Sequence, residues 1–244
     1  MKAKSTVEDI RRRFDGEVER FSNLETGQKA TIDAPLTMDL ITAAAVACNP
    51  NARATLDLGS GAGNNTLKLI ARFRSLGLNF DAIQYDLLDL SQPMLDRAAE
   101  RLRAEGAVKV RTIQADFREA DLVPGSYDLI LAAAVLHHLR EDADWEAAFQ
   151  KIFRLLAPGG SFWITDLVEH EGSAASRMMW NRYGDFLVRS GGQEYRDQVF
   201  AYIEAEDSPR SLTYQLDLMR RTGFVDIDVL HKNSCFAAFG GRKV

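Results

Sequence analysis

The chain has 244 residues, with 30 lysines and arginines against 35 aspartates and glutamates, for a net charge of -5. That length suits one domain with insertions, large enough to bury roughly 70 to 75% of its unfolded surface without staples. The mild acidity excludes a surface built mainly for nucleic acid or anionic lipid, and a small molecule is the expected partner.

Cys48 and Cys235 stand far apart with no metal-type spacing. This is the usage of buried thiols in a reducing compartment, so neither a bridge nor a bound metal is expected. Met1-Lys2-Ala3-Lys4 runs into the charged stretch Glu8 to Arg13 with no apolar segment, and the longest apolar run, Leu129 to Leu136, is too short to cross a bilayer. A cytoplasmic protein without a membrane span is expected.

Residues 1–50 read as mixed helix and loop, in which Phe14, Phe21 and Leu24 can fold over a ligand. From Thr55 onward strand and helix signals alternate, the mark of a parallel sheet with helices on both faces. Strand one is expected near 54–58, followed by a helix near 63–76 with the stripe Leu67, Ile70 and Phe73, stopped by Gly77. Strand two falls near 81–88. Ser91 caps the next helix, Pro93 lies in its first turn, and Met94, Ala98 and Leu102 line one face before Gly106.

Strand three is expected near 108–113, and Pro124-Gly125 turn the chain into strand four, Tyr127 to Ala133. A helix near 142–156 ends at Pro158-Gly159-Gly160, and strand five runs from Ser161 to Val168. Glu169 to Glu206 has no strand signal but carries Met178, Met179, Trp180, Tyr183, Phe186 and Tyr195 among charges, which reads as a helical lid. Ser208-Pro209 opens a helix with the stripe Leu212, Leu216 and Met219, closed by Gly223. Strands near 224–231 and 235–241, joined through His231 to Ser234, form an antiparallel pair.

The most informative run is Leu56-Asp57-Leu58-Gly59-Ser60-Gly61-Ala62-Gly63. Gly59, Gly61 and Gly63 let backbone turn and lie against a ligand at a helix start, with Ser60 between them. A dinucleotide fingerprint needs its third glycine one residue later, where Asn64 stands. Asp57, ahead of the first glycine, repels a pyrophosphate and suits a cation.

That run resembles the first motif of the class I methyltransferases that use S-adenosylmethionine, whose cofactor carries an ammonium and a sulfonium. The resemblance covers residues 52–168 best. It implies an α/β fold with a doubly wound, mostly parallel seven-stranded sheet and an antiparallel last strand, organised as a single domain over 1–244. Within it lie amino-terminal lid helices (1–50), the cofactor core (52–168), a lid insertion (169–207), and the last helix and strand pair (208–244).

In an open sheet of this kind ligands lie beyond the carboxyl ends of the strands. The run Asp89-Leu90-Ser91-Gln92-Pro93-Met94-Leu95 is similar to the family's second motif. An acid at that strand end can take both ribose hydroxyls, with Asp89 preferred and Asp86 the alternative if the strand ends earlier. The similarity implies that Met94 packs on the adenine, with core packing on the Ala98 stripe its equal alternative, and Leu90 beside Asp89 is a further cofactor-binding residue. Asp116 and Phe117 match the family's adenine contacts. Ala132 to Leu139 resembles its loop after strand four, where Ala133 lets backbone approach the cofactor and a His-His pair follows.

An activated methyl donor mainly needs its acceptor aligned, so a general base is optional. His137 is the best candidate because histidine titrates near neutrality beside the expected methyl position. A histidine bonded to backbone at a helix start is the alternative for it and for His138. Asp166, near the end of strand five, can orient a polar acceptor or cap the lid. Trp180, Tyr183 and Phe186 have flat faces for an aromatic substrate, and core packing or a contact in a homodimer explains them equally well.

Three competing functions follow. The segment Asp207-Ser208 through Phe224 looks like the corresponding part of carboxy-S-adenosylmethionine synthases, which modify the cofactor and need a cation for the added carboxylate; Arg177, Arg182 and Arg189 are the lid candidates. A module that senses or stores the cofactor is the second. A nicotinamide dehydrogenase is disfavoured by the glycine spacing.

Overall fold

The computed structural model describes residues 4–244, apart from the side chains of Leu24 and Glu25. Met1, Lys2 and Ala3 of the charged start lie outside these residues. The amino-terminal segment folds into α1 (Val7–Asp15), α2 (Val18–Ser22), α3 (Leu24–Gly27) and α4 (Ala34–Cys48). Thr6 and Asp9 cap α1 reciprocally, each side chain taking the other's backbone N–H.

Alternation then follows through β1 (Ala54–Leu58), α5 (Asn64–Ser75), β2 (Gln84–Asp89), α6 (Gln92–Ala104), β3 (Lys109–Gln114) and β4 (Tyr127–Ala133). A 3₁₀ turn at Leu136–His138 precedes α7 (Asp142–Leu155), β5 (Leu156–Leu167) and α8 (Ser173–Glu206). The chain finishes with α9 (Leu212–Thr222), β6 (Val225–Asn233) and β7 (Phe236–Arg242).

One sheet forms in the order β3-β2-β1-β4-β5-β7-β6, with β7 antiparallel to both neighbours. The winding reverses between β1 and β4, which opens a crevice at their carboxyl ends. Strand residues alternate between two apolar layers. Leu56, Leu58, Ile130 and Phe162 face Trp145, Phe149 and Ile152 of α7 and Met219 of α9. Leu87, Leu129, Leu131 and Trp163 face Ile41 of α4, Leu69, Ile70 and Phe73 of α5, and Leu95, Ala98 and Leu102 of α6. Burial on both faces explains why the central strands read as nearly unbroken apolar runs.

The elements around the glycine loop lie where the sequence places them, and Ser91 caps α6 by accepting from Met94 N. Elsewhere tertiary pairing moves boundaries. β2 begins later than expected and continues through Asp89, which pairs with Gln114. β5 begins at Leu156, because Leu156 pairs with Tyr127 across a bulge before the main register, so α7 passes straight into the strand.

α9 starts at Leu212 rather than at Ser208-Pro209. Ser208 N donates to His137 O at 2.7 Å and Glu169 N to Arg210 O at 3.1 Å. Residues 207–210 therefore run extended along the sheet end, and Ser211 caps the helix by accepting from Tyr214 N. Gln215, Leu218 and Met219 face inward, and Leu216 only partly. The terminal strands pair through His231, Lys232 and Asn233, which shortens their link to Ser234-Cys235.

The segment expected to be helical from Glu169 is helical only from Ser173 to Glu206, with one break at Gly192, where φ is 86°; Glu169 instead bridges to Ser211 beside the sheet. Among the described residues no helix is long and apolar enough to cross a membrane.

Candidate functional site

Beyond the strand ends a single cavity of about 780 Å³ opens, walled by the glycine loop, the ends of β2 to β5, and the helices α1, α2 and α8. That volume lies in the upper part of the range of small-molecule sites.

The loop after β1 uses its glycines in two ways. A Cβ on Gly59 would stand 2.6 Å from the Val135 side chain, and one on Gly63 3.0 Å from Ala98 and Leu102, so both glycines serve close packing. At Gly61 nothing lies within 4 Å of the Cβ position. Gly61 and Ser60 line the cavity, whereas Gly63 does not. The expected ligand role of Gly63 thus gives way to helix packing: it is the residue that lets α5 and α6 approach.

Asp57 lies beneath this loop, 2% exposed and outside the cavity wall. Its Oδ2 accepts from the Thr66 hydroxyl at 2.6 Å, while its Oδ1 is buried without a partner. Burial, together with the nearby Asp89 charge and against the Thr66 bond, pushes the carboxyl up to about 7. The expected direct contact between Asp57 and a ligand is replaced by a charge held one layer below. Ser60 Oγ and Asn65 Oδ1 are further buried oxygens without partners in this loop and helix start. Such a set of acceptors fits a cationic ligand.

Asp89, the last residue of β2, lines the cavity. Its Oδ2 accepts from Gly61 N at 2.8 Å and its Oδ1 from Ser91 N at 2.9 Å. Burial raises its pKa, opposed by these backbone donors. A carboxylate has about four lone-pair positions, so acceptor capacity for two ribose hydroxyls remains. Asp86, the alternative acid, is mid-strand and outside the wall. The Arg111 guanidinium and the Tyr127 hydroxyl, the latter at 2.6 Å, occupy it. Leu90 and Met94 line the cavity beside Asp89.

After β3, Asp116 lines the cavity but is gripped by Arg118, with guanidinium contacts of 3.1 and 2.6 Å and the Arg118 N–H at 2.9 Å. Burial works to raise its pKa, but the guanidinium and amide outweigh it and hold it low. Phe117 lines the cavity and also belongs to the core layer of α7.

At the ends of β4 and β5 the sequence signals converge. Ala133 lines the cavity. Asp166, 2% exposed, accepts from Leu136 N at 2.8 Å and Leu167 N at 2.7 Å, and also from His137 Nδ1. It thereby both caps the 3₁₀ turn and orients the imidazole. His137 Nε2 stands 3.6 Å from Asp207 Oδ1. Burial opposes a charge on His137, but Asp166 and Asp207 outweigh it and push the imidazole up to about 9. The expectation of titration near neutrality is corrected: two carboxylates hold the ring protonated there. His138 goes the other way, lowered by burial and by the His137 charge.

The lid divides. Tyr183 lines the cavity, donates its hydroxyl to Ala30 O at 2.9 Å, and anchors α8 to Leu167 and Phe236. Trp180 is outside the wall: its indole N–H is drawn to Glu169, at 3.1 Å, and its ring packs on Phe200. It belongs to the lid's own core, so the substrate contact expected of it is not made by this geometry, and Phe186 stacks on Tyr183 in the same way. Phe14 and Phe21 do line the cavity, 5.5 Å apart; the Leu24 side chain lies outside the described residues.

Residues absent from the sequence reading complete the wall. Arg13 of α1 donates to Glu206 at 2.9 Å and to the Tyr202 hydroxyl at 2.8 Å, tying the two lid segments together. Asp207 brings a buried carboxylate to the histidine pair. Neither carries a local signal, since each acts on residues distant in the chain.

The sequence over residues 56–162 matches the family described as Methyltransferase domain, a span that runs from the glycine loop's strand through β4 and into β5. The core of the chain is a methyltransferase domain. The methyltransferase is 29% identical to the carboxy-S-adenosyl-L-methionine synthase of Nautilia profundicola over 185 residues, covering 75% of this chain and 74% of that protein. It is 30% identical to highly reducing polyketide synthase 2 of Gibberella zeae over 167 residues, 64% of this chain but 6% of that much longer protein. Its fold is that of the Burkholderia thailandensis 1,6-didemethyltoxoflavin-N1-methyltransferase solved with S-adenosylhomocysteine, with a TM-score of 0.62, 19% identity, and coverage of 100% of this chain and 93% of that one. S-adenosylmethionine is the cofactor, and the buried acceptor oxygens around the glycine loop fit its cationic methionine portion.

Proposed function

We propose that this methyltransferase methylates a small-molecule acceptor held between the ends of β4 and β5 and the lid. The observation that carries this reading is the single cavity shared by Gly61, Asp89, His137 and Asp166, with Tyr183 and the α1 and α2 phenylalanines closing its far side.

The cofactor, when bound, supplies a methyl group already activated on a sulfonium. The chain's own work is to bind and align. The backbone at Gly61 and Ser60 receives the methionine portion, with the Asp57 charge beneath it. Asp89 takes the ribose hydroxyls, Leu90 and Met94 pack at the base, and Phe117 covers it. Asp116, already neutralised by Arg118, presents its remaining lone pairs to the adenine amino group. Ala133 keeps the wall thin beside the sulfur. His137, fixed by Asp166, faces the acceptor. Holding the acceptor in line behind the methyl group can contribute on the order of 7 to 11 kcal/mol, more than the roughly 3 to 6 kcal/mol of a general base.

Incubation with S-adenosylmethionine and a panel of hydroxylated, amino and heterocyclic acceptors tests this, with S-adenosylhomocysteine as the expected product. Tight cofactor binding without product from any acceptor would instead favour a cofactor-sensing module.

The likeness to a carboxy-S-adenosylmethionine synthase supports a second reading, in which the cofactor itself is modified. Against it, Arg177, Arg182 and Arg189 are all outside the cavity wall, so none is placed to hold an added carboxylate. Mass spectrometry of the bound cofactor after incubation with prephenate separates the two: an unchanged cofactor is expected.

A further inference from the structure

At the acceptor end of the cavity three side chains converge from two distant segments, and the methyl-transfer reading does not use them together. His137 and His138 sit on the turn after β4, and Asp207 follows α8. Asp207 Oδ1 is 3.6 Å from His137 Nε2 and 3.2 Å from His138 Nδ1. The three donor atoms lie within 4.8 Å of one another. Neighbouring ligands around a tetrahedral ion with bonds of about 2.0 to 2.1 Å are spaced about 3.3 Å apart, so two of these separations match coordination edges.

Burial makes the arrangement unusual. Asp207 is 4% exposed, and both its Oδ1 and His138 Nδ1 are buried without a well-formed hydrogen bond. His137 is oriented as a ligating histidine is: Nδ1 donates to Asp166, whose oxygens are fixed by the amides of Leu136 and Leu167, and Nε2 faces outward, its proton displaced to water when the ion binds. Among neighbouring cations, Arg13 is matched by Glu206, the Arg140 guanidinium donates to the backbone carbonyls of Glu206 and Ser5, and Lys4 to those of Glu204 and Asp207. Asp166 and Asp207 are the carboxylates in direct contact with the histidines. All three donor residues line the cavity.

We propose that His137 Nε2, His138 Nδ1 and Asp207 Oδ1 bind one divalent first-row transition ion. Two imidazoles and one carboxylate suit Zn²⁺, Fe²⁺, Co²⁺ or Mn²⁺ better than Mg²⁺ or Ca²⁺, which favour all-oxygen shells. The positions left open face the cavity and take an oxygen of the acceptor. A bound hydroxyl releases its proton to water and stays on the ion as the anion, with no change of oxidation state. The role in acceptor binding rests on the methyltransferase reading, whereas the metal site does not. The cysteine pattern gave no hint of it, because its donors are histidines and a carboxylate brought together only by the fold.

The full chain, stripped with chelator, is titrated with Zn²⁺ by equilibrium dialysis and elemental analysis, and with Co²⁺ by visible absorption. Expected are a single tightly held ion per chain and the d–d bands of cobalt bound by nitrogen and oxygen. Asp207→Asn and His138→Ala should each weaken binding at least tenfold, Asp166→Asn about 10- to 100-fold, and His170→Ala not at all. Calorimetry with S-adenosylhomocysteine on the same samples checks that each variant is folded. Wild-type protein that holds Zn²⁺ no better than Asp207→Asn, or gives no cobalt bands, overturns the site. Intact metal binding with no heat from S-adenosylhomocysteine would leave the site standing and sink the methyltransferase reading.

Discussion

The Gly61 N–H donates to Asp89 Oδ2 at 2.8 Å across 28 residues of chain. One carboxylate thereby sets the shape of the glycine loop and keeps lone pairs free toward the cavity, which couples the first two strand ends into one site. Asp89→Ala should weaken S-adenosylmethionine binding by about 1 to 3 kcal/mol, through loss of charge-assisted hydrogen bonds. Asp86→Ala should leave that affinity unchanged and lower stability instead, because it removes the acceptor of the buried Tyr127 hydroxyl and the carboxylate that pairs with Arg111. Calorimetric titration and thermal unfolding of the two variants separate these outcomes, and equal affinity losses would move the ribose role back to Asp86.

The glycines should respond differently to alanine. Gly63→Ala meets Ala98 and Leu102 and should lower the unfolding midpoint. Gly61→Ala finds open space at φ of +49°, with a conformational cost of about 1 to 2 kcal/mol, and its methyl projects where the ligand lies. Its larger effect should therefore appear in cofactor affinity.

A pH dependence follows from Asp57. Its carboxyl titrates at about 7 in the cofactor-free protein, whereas a cation above the loop favours the ionised form. Binding below pH 7 must therefore expel a proton, so affinity should fall as pH drops through 7, by at most about tenfold per unit. The sign is opposite for folding: the raised pKa adds stability that is fully present below about pH 4 and is lost as pH rises through 7. Asp57→Asn should flatten the binding curve between pH 5.5 and 8, and an unchanged slope would assign the dependence elsewhere.

His137→Ala should lower turnover by about 100-fold or more while leaving cofactor affinity nearly intact, since the ring faces the acceptor end and its support comes from Asp166. Steady-state kinetics with saturating cofactor read this directly. Equal turnover would remove His137 from the reaction.

Much of this site is legible because its signals are local. The glycine loop, the Ser91 cap and the strand-ending Asp89 each depend on residues within a few positions. What escapes is set by contacts between distant segments. β5 gains its first residues by pairing with Tyr127. The stretch after α8 is held along the sheet end by Ser208 N–H to His137 O and Glu169 N–H to Arg210 O, so the helix begins only after Ser211. The indole of Trp180 is turned away by Glu169, and Asp57 is displaced from the wall by burial under the loop it precedes. Asp207 meets the histidines only once α8 has folded back, so no spacing in the chain announces it.

The most direct test of the account is calorimetric titration of the wild-type chain with S-adenosylhomocysteine and, separately, with NADH. Saturable heat with the first and none with the second is predicted. Binding of NADH with no response to S-adenosylhomocysteine would contradict the account at its root.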